Sequence, residues 1–157
     1  MSSSEEYPTP PAAGVGKRGD DGYLGYLLRQ AAAAYRLRQD REFADLGITA
    51  PQFAVMTMLK AYPGQSNADL ARLAILTPQT TSVIIANLER AGHIERRAHE
   101  VHGRILQIDL TPSGHSLLQA CRARVEAVEK ELAENLRESD IDALRRSLVA
   151  IAKMNMA

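Results

Sequence analysis

The chain has 157 residues, 45% of them hydrophobic and 24% charged, which is ordinary for a water-soluble globular domain with a core of its own. Its 19 basic and 19 acidic residues cancel, which excludes a strongly basic nucleic-acid coat protein but not a site-specific binder whose charges cluster. One cysteine excludes an intrachain disulfide framework, and no apolar run approaches the roughly 18 residues that a membrane span needs. We therefore expect a cytoplasmic protein without a membrane partner and, given its polar Pro-rich start, without a signal segment.

The N-terminal part of the chain is expected to hold a tail and one basic helix. Residues 1–19 contain Ser, Pro and Gly and almost nothing to bury, which predicts a disordered tail; an arm that clasps a dimer partner is the alternative. Residues 20–46 predict a helix, and one of its faces carries Leu24, Leu28, Ala31 and Tyr35. The arginines of this helix form either a solvated face or a site for an anionic ligand. They are Arg29, Arg36, Arg38 and Arg41.

A second helix is expected after Gly47, which ends the first. Thr49 is predicted to cap it, with Pro51 in its first turn. A stripe at three-residue spacing predicts its core face, formed by Phe53, Met56 and Leu59.

Two short helices and a strand pair are then predicted over residues 65–110. Ser66 and Asp69 form a capping-box variant, and Thr77 followed by Pro78 is typical of the start of the next helix. The inward face of this second helix repeats at helical spacing. It carries Thr81, Ile84, Ile85 and Leu88. The arrangement indicates a helix-turn-helix, with Ala91-Gly92 at its end.

The outward face of the second helix is small and polar, which suits a helix that enters a major groove about 12 Å wide. Gln and Asn can bond adenine edges, Thr methyls can touch thymine, and Arg can meet guanine or phosphate. The face carries Gln79, Thr80, Ser82, Val83, Ala86, Asn87 and Arg90.

A hairpin is predicted from residues 93–97 and 104–110, because apolar and polar residues alternate in the second segment. The polar connection over residues 98–103 is flanked by Arg96, Arg97 and Arg104. Arginine at the base of such a tip can enter a narrow minor groove; the alternative is a solvated hairpin.

The C-terminal part predicts two helices with continuous apolar faces. Thr111-Pro112 is expected to begin the first, and Ser139-Asp140 to break it from the second. The first seam carries Leu118, Cys121, Val125, Val128, Leu132 and Leu136, and the second Ile141, Leu144, Leu148 and Ile151. This is more apolar surface than one small domain covers, so we expect a homodimer, whose two-fold symmetry suits DNA.

Three segments in this order and spacing resemble the MarR family of winged helix-turn-helix transcriptional regulators. They are GITAPQFAVM at 47–56, ADLARLAILTPQTTSVIIANLERAGHIER at 68–96 and GRILQIDLTPSG at 103–114. The expected fold is mainly α with a small β wing: a winged helix-turn-helix over 47–111 and dimerisation helices over 20–46 and 112–157. The resemblance implies a homodimer on a pseudo-palindromic double-stranded operator. It also implies a repressor that a small, often aromatic and anionic, effector releases.

The resemblance also implies which side chains meet DNA. In the recognition helix these are Gln79, Thr80, Ser82, Asn87 and Arg90. In the wing we predict Arg97, His102 and Arg104, and on the DNA backbone Ser66 and Asn67. The chain departs from the family pattern at three positions: Val83 replaces a frequent Arg, His102 a frequent Asp beside the wing arginine, and Ile75 a frequent Gly.

An effector pocket is implied between the dimer helices and the winged domain, with Tyr26, Arg29, Tyr35 and Phe53 as candidates, although core packing explains the aromatics equally well. Two alternatives to an inducible repressor remain open. Near-zero net charge is compatible with a winged-helix protein-interaction module, and nothing in the sequence excludes a non-inducible regulator.

No enzyme, cofactor or metal site is expected. The histidines at 99 and 102 lie in a turn and do not form H-E-x-x-H, so solvated or pH-sensitive side chains explain them better than a zinc site. Cys121 lies on an apolar seam, which favours a packed thiol over a redox sensor. No nucleophile elbow, P-loop or dinucleotide motif is present in the sequence.

Overall fold

A computed structural model describes residues 9–98, 100–101, 103–104 and 106–155. It divides into two compact units, Met1–Arg38 and Gln39–Ala157. Among the described residues, no helix is long and apolar enough to cross a membrane.

The first unit contains a 3-10 helix, Gly16–Arg18, and the first part of helix α1, Leu24–Phe43. Arg18 donates through Nη1 to the Pro11 carbonyl at 2.6 Å and through Nε to Gln30 Oε1 at 3.2 Å, and Gln30 Nε2 donates back to the Arg18 carbonyl at 3.0 Å. The predicted tail over 1–19 therefore differs from the structure near Arg18, because these bonds fold the segment onto α1. Residues 1–8 of that prediction lie outside the described residues.

The apolar face that the sequence predicts for α1 is only partly buried within the chain. Leu24 is 79% exposed and Ala31 is exposed, whereas Leu28 and Tyr35 are half-buried. The buried residues of α1 are Gln39 and Phe43 at its other end. The helix itself is confirmed, and the exposure of Leu24 and Ala31 leaves the predicted dimerisation role of residues 20–46 a prediction.

The second unit continues from the end of α1 through a 3-10 turn, Ala44–Leu46, and then holds five helices and two strands within its described residues. These are α2 Ala50–Ala61, α3 Asn67–Leu73, α4 Pro78–Arg90, β1 Ile94–Ala98, β2 Leu106–Leu110, α5 Pro112–Glu134 and α6 Glu138–Ala152. A further 3-10 turn, Lys153–Asn155, follows α6. The core lies where α2, α4 and α5 meet the end of α1, and its largest side chains include Phe43, Met56, Leu59, Leu70 and Ile85.

Three helices begin with a threonine whose hydroxyl accepts a backbone N–H of the first turn, each with a proline beside it. Thr49, Thr77 and Thr111 accept from residues 52, 80 and 114 respectively. Thr49 also forms a reciprocal box with Gln52, whose Oε1 accepts the Thr49 N–H at 2.9 Å. These starts are confirmed, because the cap satisfies an N–H that the helix itself leaves unpaired and proline is preset for the first turn.

The two strands pair antiparallel, with Ile94 opposite Leu110 and Ala98 opposite Leu106. Ile108 also donates its N–H to the Gln65 carbonyl at 3.1 Å, which adds an isolated bridge from the residue before the α3 cap. We call β1, β2 and their connection the wing. The first strand extends one residue beyond the prediction, and the second starts at Leu106, so that Arg104 lies in a turn.

The last two helices separate between Asn135 and Arg137, earlier than the predicted break at Ser139-Asp140. Ser139 and Asp140 instead lie in the first turn of α6, where an acidic side chain suits the positive end of the helix dipole. Helix α6 leaves an apolar face 40–45% exposed, formed by Leu144, Leu148 and Ile151.

Candidate nucleic-acid interface

Helices α3 and α4 form the predicted helix-turn-helix, and α3 begins at a capping pair. The Ser66 hydroxyl accepts the Asp69 N–H at 3.2 Å and donates to Asp69 Oδ2 at 2.6 Å. The hydrogen bond from Ser66, and next the neighbouring Arg72, hold the pKa of Asp69 below its ordinary value. The Ser66 hydroxyl, predicted to meet the DNA backbone, is thus engaged within the protein.

Asn67 ties α3 to the start of α4. Its Nδ2 donates to Ser82 Oγ at 3.2 Å, and Ser82 Oγ donates to the Pro78 carbonyl at 2.9 Å. Asn67 Oδ1 is buried and has no hydrogen-bond partner among the described residues. A cavity of about 460 Å³ opens beside this pair between α3, α4 and the wing. Its lining includes Ser66, Asn67, Ser82, Arg96 and Arg104.

Helix α4 has the two faces that its sequence predicts. Thr81, Ile84, Ile85 and Leu88 are buried. On the opposite face Gln79, Thr80, Ser82, Val83, Asn87 and Arg90 are exposed, and Ala86 is half-buried. Two of the polar side chains already have partners: Thr80 Oγ1 accepts from the Thr77 hydroxyl at 2.9 Å, and Asn87 Oδ1 accepts from Arg90 Nη1 at 3.0 Å. The exposed face can therefore present hydrogen-bonding groups to base edges, with Gln79 in its first turn.

The wing places its arginines in three different situations. Arg104 is exposed in the turn before β2. Arg96 forms an ion pair with Glu89 of α4 at 3.1 Å. Arg97 donates through Nε to Asp109 Oδ2 at 2.5 Å, and this hydrogen bond raises the pKa of Arg97. His102 lies outside the described residues, so its predicted contact is not placed.

Asp109 is a part of this region that no local pattern in the sequence predicts. Asp109 Oδ1 accepts the Gly64 N–H at 2.9 Å while Oδ2 accepts from Arg97. The available signal was an acidic residue diagonal to an arginine on one face of a hairpin, and it depends on knowing the strand register.

The four residues predicted to contact an effector are divided between the two units, and each has different neighbours. In the first unit, Tyr26 donates to Gln30 Oε1 at 3.3 Å, Arg29 is exposed, and Tyr35 is half-buried. In the second unit the ring of Phe53 lies 5.2 Å from that of Phe43, so core packing accounts for this aromatic.

A second cavity, of about 410 Å³, lies between α2 and α5. Its lining consists of the nitrogen-containing side chains of Lys60, His115 and Arg122 together with Gln119 and the apolar Leu118. Such a lining suits a small anion. Among the described residues, no group of three or more His, Cys, Asp or Glu is placed to hold a metal ion.

The single cysteine is packed inside the second unit. Cys121 is fully buried, and burial raises the pKa of its thiol. This accords with the packed thiol that the apolar seam predicts.

Comparison with known proteins connects this geometry to a family. The family model described as MarR family matches residues 48–106. The HTH-type transcriptional repressor Rv2887 of Mycobacterium tuberculosis is 38% identical over 117 residues, which cover 74% of this chain and 84% of that protein.

Solved structures agree with the sequence match. The crystal structure of Rv2887 in complex with salicylic acid has a TM-score of 0.69 at 35% identity and covers 84% of this chain and 98% of that one. The transcriptional repressor CouR bound to a 23-mer DNA duplex has a TM-score of 0.77 at 27% identity, over 83% of this chain and 92% of that one. The resemblance drawn from the sequence is confirmed, together with the mainly helical winged fold. On these matches the chain belongs to the MarR family, and its named relatives are transcriptional regulators rather than enzymes.

Proposed function

We propose that this protein is a homodimeric repressor that binds a pseudo-palindromic operator and is released by a small aromatic or anionic ligand. The observation that carries the proposal is the exposed polar face of α4 beside the exposed Arg104 of the wing. CouR, with the same fold, is bound to a DNA duplex in its crystal structure, which supports the same partner for this chain.

Each part of the interface has a separate chemical role in this proposal. The α4 face enters the major groove, where Gln79 and Asn87 bond base edges and Arg90 meets guanine or phosphate. Arg104 enters the adjacent minor groove, whose negative potential favours a guanidinium. Asn67 meets the DNA backbone beside the cavity, and Arg97 remains a candidate despite its bond to Asp109.

The homodimer is proposed from the apolar face of α6. An exposed apolar patch of this kind on a small protein is typical of an interface. A cavity of about 450 Å³ continues the patch between α5 and α6, and its apolar lining includes Leu132, Leu136, Ile141, Leu144 and Leu148. A second copy on this face would bury the patch, and two-fold symmetry would set two α4 helices about one DNA turn apart.

An anionic aromatic effector is proposed because Rv2887 binds salicylic acid in its crystal structure. In the second unit, the basic cavity at Lys60 and Arg122 is the candidate site for such an anion. The roles of Tyr26, Arg29 and Tyr35 in the first unit stay predictions of the sequence, whereas core packing accounts for Phe53. Release would follow from population shift: a ligand that prefers a spacing of the two α4 helices unsuited to DNA weakens DNA binding by its differential affinity.

The test is fluorescence anisotropy with a labelled duplex from upstream of the protein's own gene, titrated over a salt series with unrelated duplex as competitor. Binding that survives competition and falls steeply with salt is expected. Arg104→Ala should weaken binding by about 1–3 kcal/mol and reduce the salt slope by about one unit. Arg146→Ala removes the same charge at an exposed position of α6 outside the lining of the cavity between α5 and α6, and it should leave both unchanged.

Salicylate added to the complex tests release, with benzyl alcohol as an uncharged aromatic control. Equal binding to all duplexes would contradict the proposed repressor. Specific binding that salicylate and related aromatic acids leave intact would contradict inducible release alone.

A further inference from the structure

We propose that Asp109 is a positioning residue that fixes the wing on the helix-turn-helix and so sets where Arg104 meets DNA. We call the carboxylate and its two partners, Gly64 and Arg97, the Asp109 latch. The inference rests on the proposed DNA-binding function and adds to it a residue that does not itself touch DNA.

The latch joins segments that are distant in sequence. Asp109 Oδ1 accepts the N–H of Gly64, 45 residues earlier, at 2.9 Å, and Oδ2 accepts from Arg97 Nε across the hairpin at 2.5 Å. The Asp109 side chain is only 19% exposed, so water competes weakly for its oxygens. One carboxylate therefore holds β1, β2 and the turn between α2 and α3 together.

The turn at Gly64 packs closely against strand β2 of the wing. Gly64 has φ +74°, and a Cβ there would meet Gln107 Nε2 of β2 at 3.3 Å. Next along the chain, the Gln65 carbonyl accepts the Ile108 N–H at 3.1 Å, and Ser66 then caps α3. Strand β2 is thus attached directly before the first helix of the helix-turn-helix.

The wing arginine depends on this attachment. Arg104 lies two residues before β2, in the turn, and lines the cavity that α3 and α4 share with the wing. A hairpin held at its base keeps the guanidinium over that cavity before DNA arrives, which lowers the ordering cost of binding. Loss of the latch lets the tip move relative to α4.

If Asp109 affected DNA binding only through its negative charge, its removal would raise the affinity for DNA. The direction of the change in affinity therefore tests the inference. Removing an acidic side chain near a DNA-binding surface strengthens binding by reducing repulsion of phosphate. Glu95 is the matched control, because it is opposite Asp109 in the strand register and is exposed. We expect Asp109→Ala to weaken binding of the upstream duplex by about 3- to 10-fold, since hydrogen bonds are lost, and Glu95→Ala to leave it equal or tighter.

A double-mutant cycle with Arg104→Ala separates positioning from a general structural effect. If Asp109 acts through Arg104, Asp109→Ala should cost less than about twofold in the Arg104→Ala background. Binding by Asp109→Ala that equals or exceeds wild type, or losses that add fully in the double variant, would overturn the inference. If Asp109→Ala does not fold, Asp109→Asn gives the same sign test, since it keeps an oxygen for Gly64 and loses the ion pair.

Amide hydrogen exchange provides a readout without DNA. The N–H groups of Gly64 and Ile108 should exchange faster in Asp109→Ala than in wild type and Glu95→Ala, while amides of α5 keep their rates. Wild type that binds no duplex specifically would end the proposed function, and the exchange rates would still decide whether the latch exists. Unchanged exchange at Gly64 and Ile108 would overturn the latch even where the repressor function holds.

Discussion

Arg124 of α5 contacts both the end of α1 and the 3-10 turn after it: Nη2 pairs with Asp45 Oδ2 of the turn at 2.7 Å, and Nη1 donates to the Glu42 carbonyl of α1 at 3.3 Å. The first is a partly exposed ion pair and the second places a cation at the C-terminal end of a helix, and each is worth a modest amount. Arg124→Ala should lower the free energy of unfolding by about 1 kcal/mol. Urea titration followed by circular dichroism measures it. Arg122→Ala, exposed on the same helix, is the matched control, and equal losses in both variants would contradict the assignment.

Ile75 should be replaceable with a gain in stability. It lies in the turn between α3 and α4 at φ +58°, a backbone conformation unfavourable to a β-branched residue, and it is 91% exposed. Ile75→Asn relieves strain of about 1–2 kcal/mol without losing buried surface, and we expect a net gain of about 1 kcal/mol. Ile75→Val keeps the branching and should gain nothing. A thermal midpoint that falls in Ile75→Asn would show that the isoleucine makes a favourable contact.

The Ser66–Asp69 cap predicts a specific pH dependence of folding. Because the folded pKa of Asp69 lies below its ordinary value of 3.8, its stabilisation is complete above pH 3.8 and is lost as pH falls through the folded pKa. Asp69→Asn should therefore be less stable than wild type at pH 6, and the difference should shrink as pH falls below 3.8. Urea unfolding at several pH values measures this.

Ser66→Ala is the companion variant for the cap. It should cost about 1 kcal/mol near neutral pH and abolish most of the pH effect at Asp69. A stability gap between wild type and Asp69→Asn that does not change with pH would rule out the carboxylate as the titrating group.

Gln79 should contribute base specificity rather than charge. It is exposed in the first turn of α4, where a side-chain amide can bond a base edge. Gln79→Ala should weaken operator binding by about 1–3 kcal/mol and relax the preference at one base pair, with an unchanged salt slope because no charge is removed. Anisotropy against duplexes with single base-pair changes measures both quantities. An altered slope with unaltered preference would assign Gln79 to the DNA backbone.

Cys121 should be inert in the folded protein. Since the thiol is fully buried and its pKa is raised, little thiolate is present or accessible at pH 8. A chromogenic disulfide reagent should react with the native protein at the rate of transient unfolding and immediately in denaturant. Rapid reaction under native conditions would reopen a redox role.

Local signals predicted most of the winged helix-turn-helix. The threonine caps act within one helical turn and the buried face of α4 follows a simple period, so both can be derived without knowing what lies nearby. The contacts of Arg97 and Asp109 depend instead on the strand register and on Gly64, which lies 45 residues before Asp109. The start of α6 was misplaced because Ser139 and Asp140 suit the first turn of a helix as well as a break.

The junction between α4 and α5, the longest helix among the described residues, is closely packed on both sides of the wing. The Thr111 hydroxyl donates to the Gly92 carbonyl just after α4 at 2.7 Å, and a Cβ on Gly114 would stand 2.0 Å from the His93 carbonyl oxygen. Helix α5 has 23 residues and so spans about 35 Å. A displacement of about 3 Å at its far end therefore corresponds to a tilt of only about 5° at this junction. A displacement of several ångströms at the far end of α5 would therefore correspond to only a small rotation of that helix at its start, beside α4.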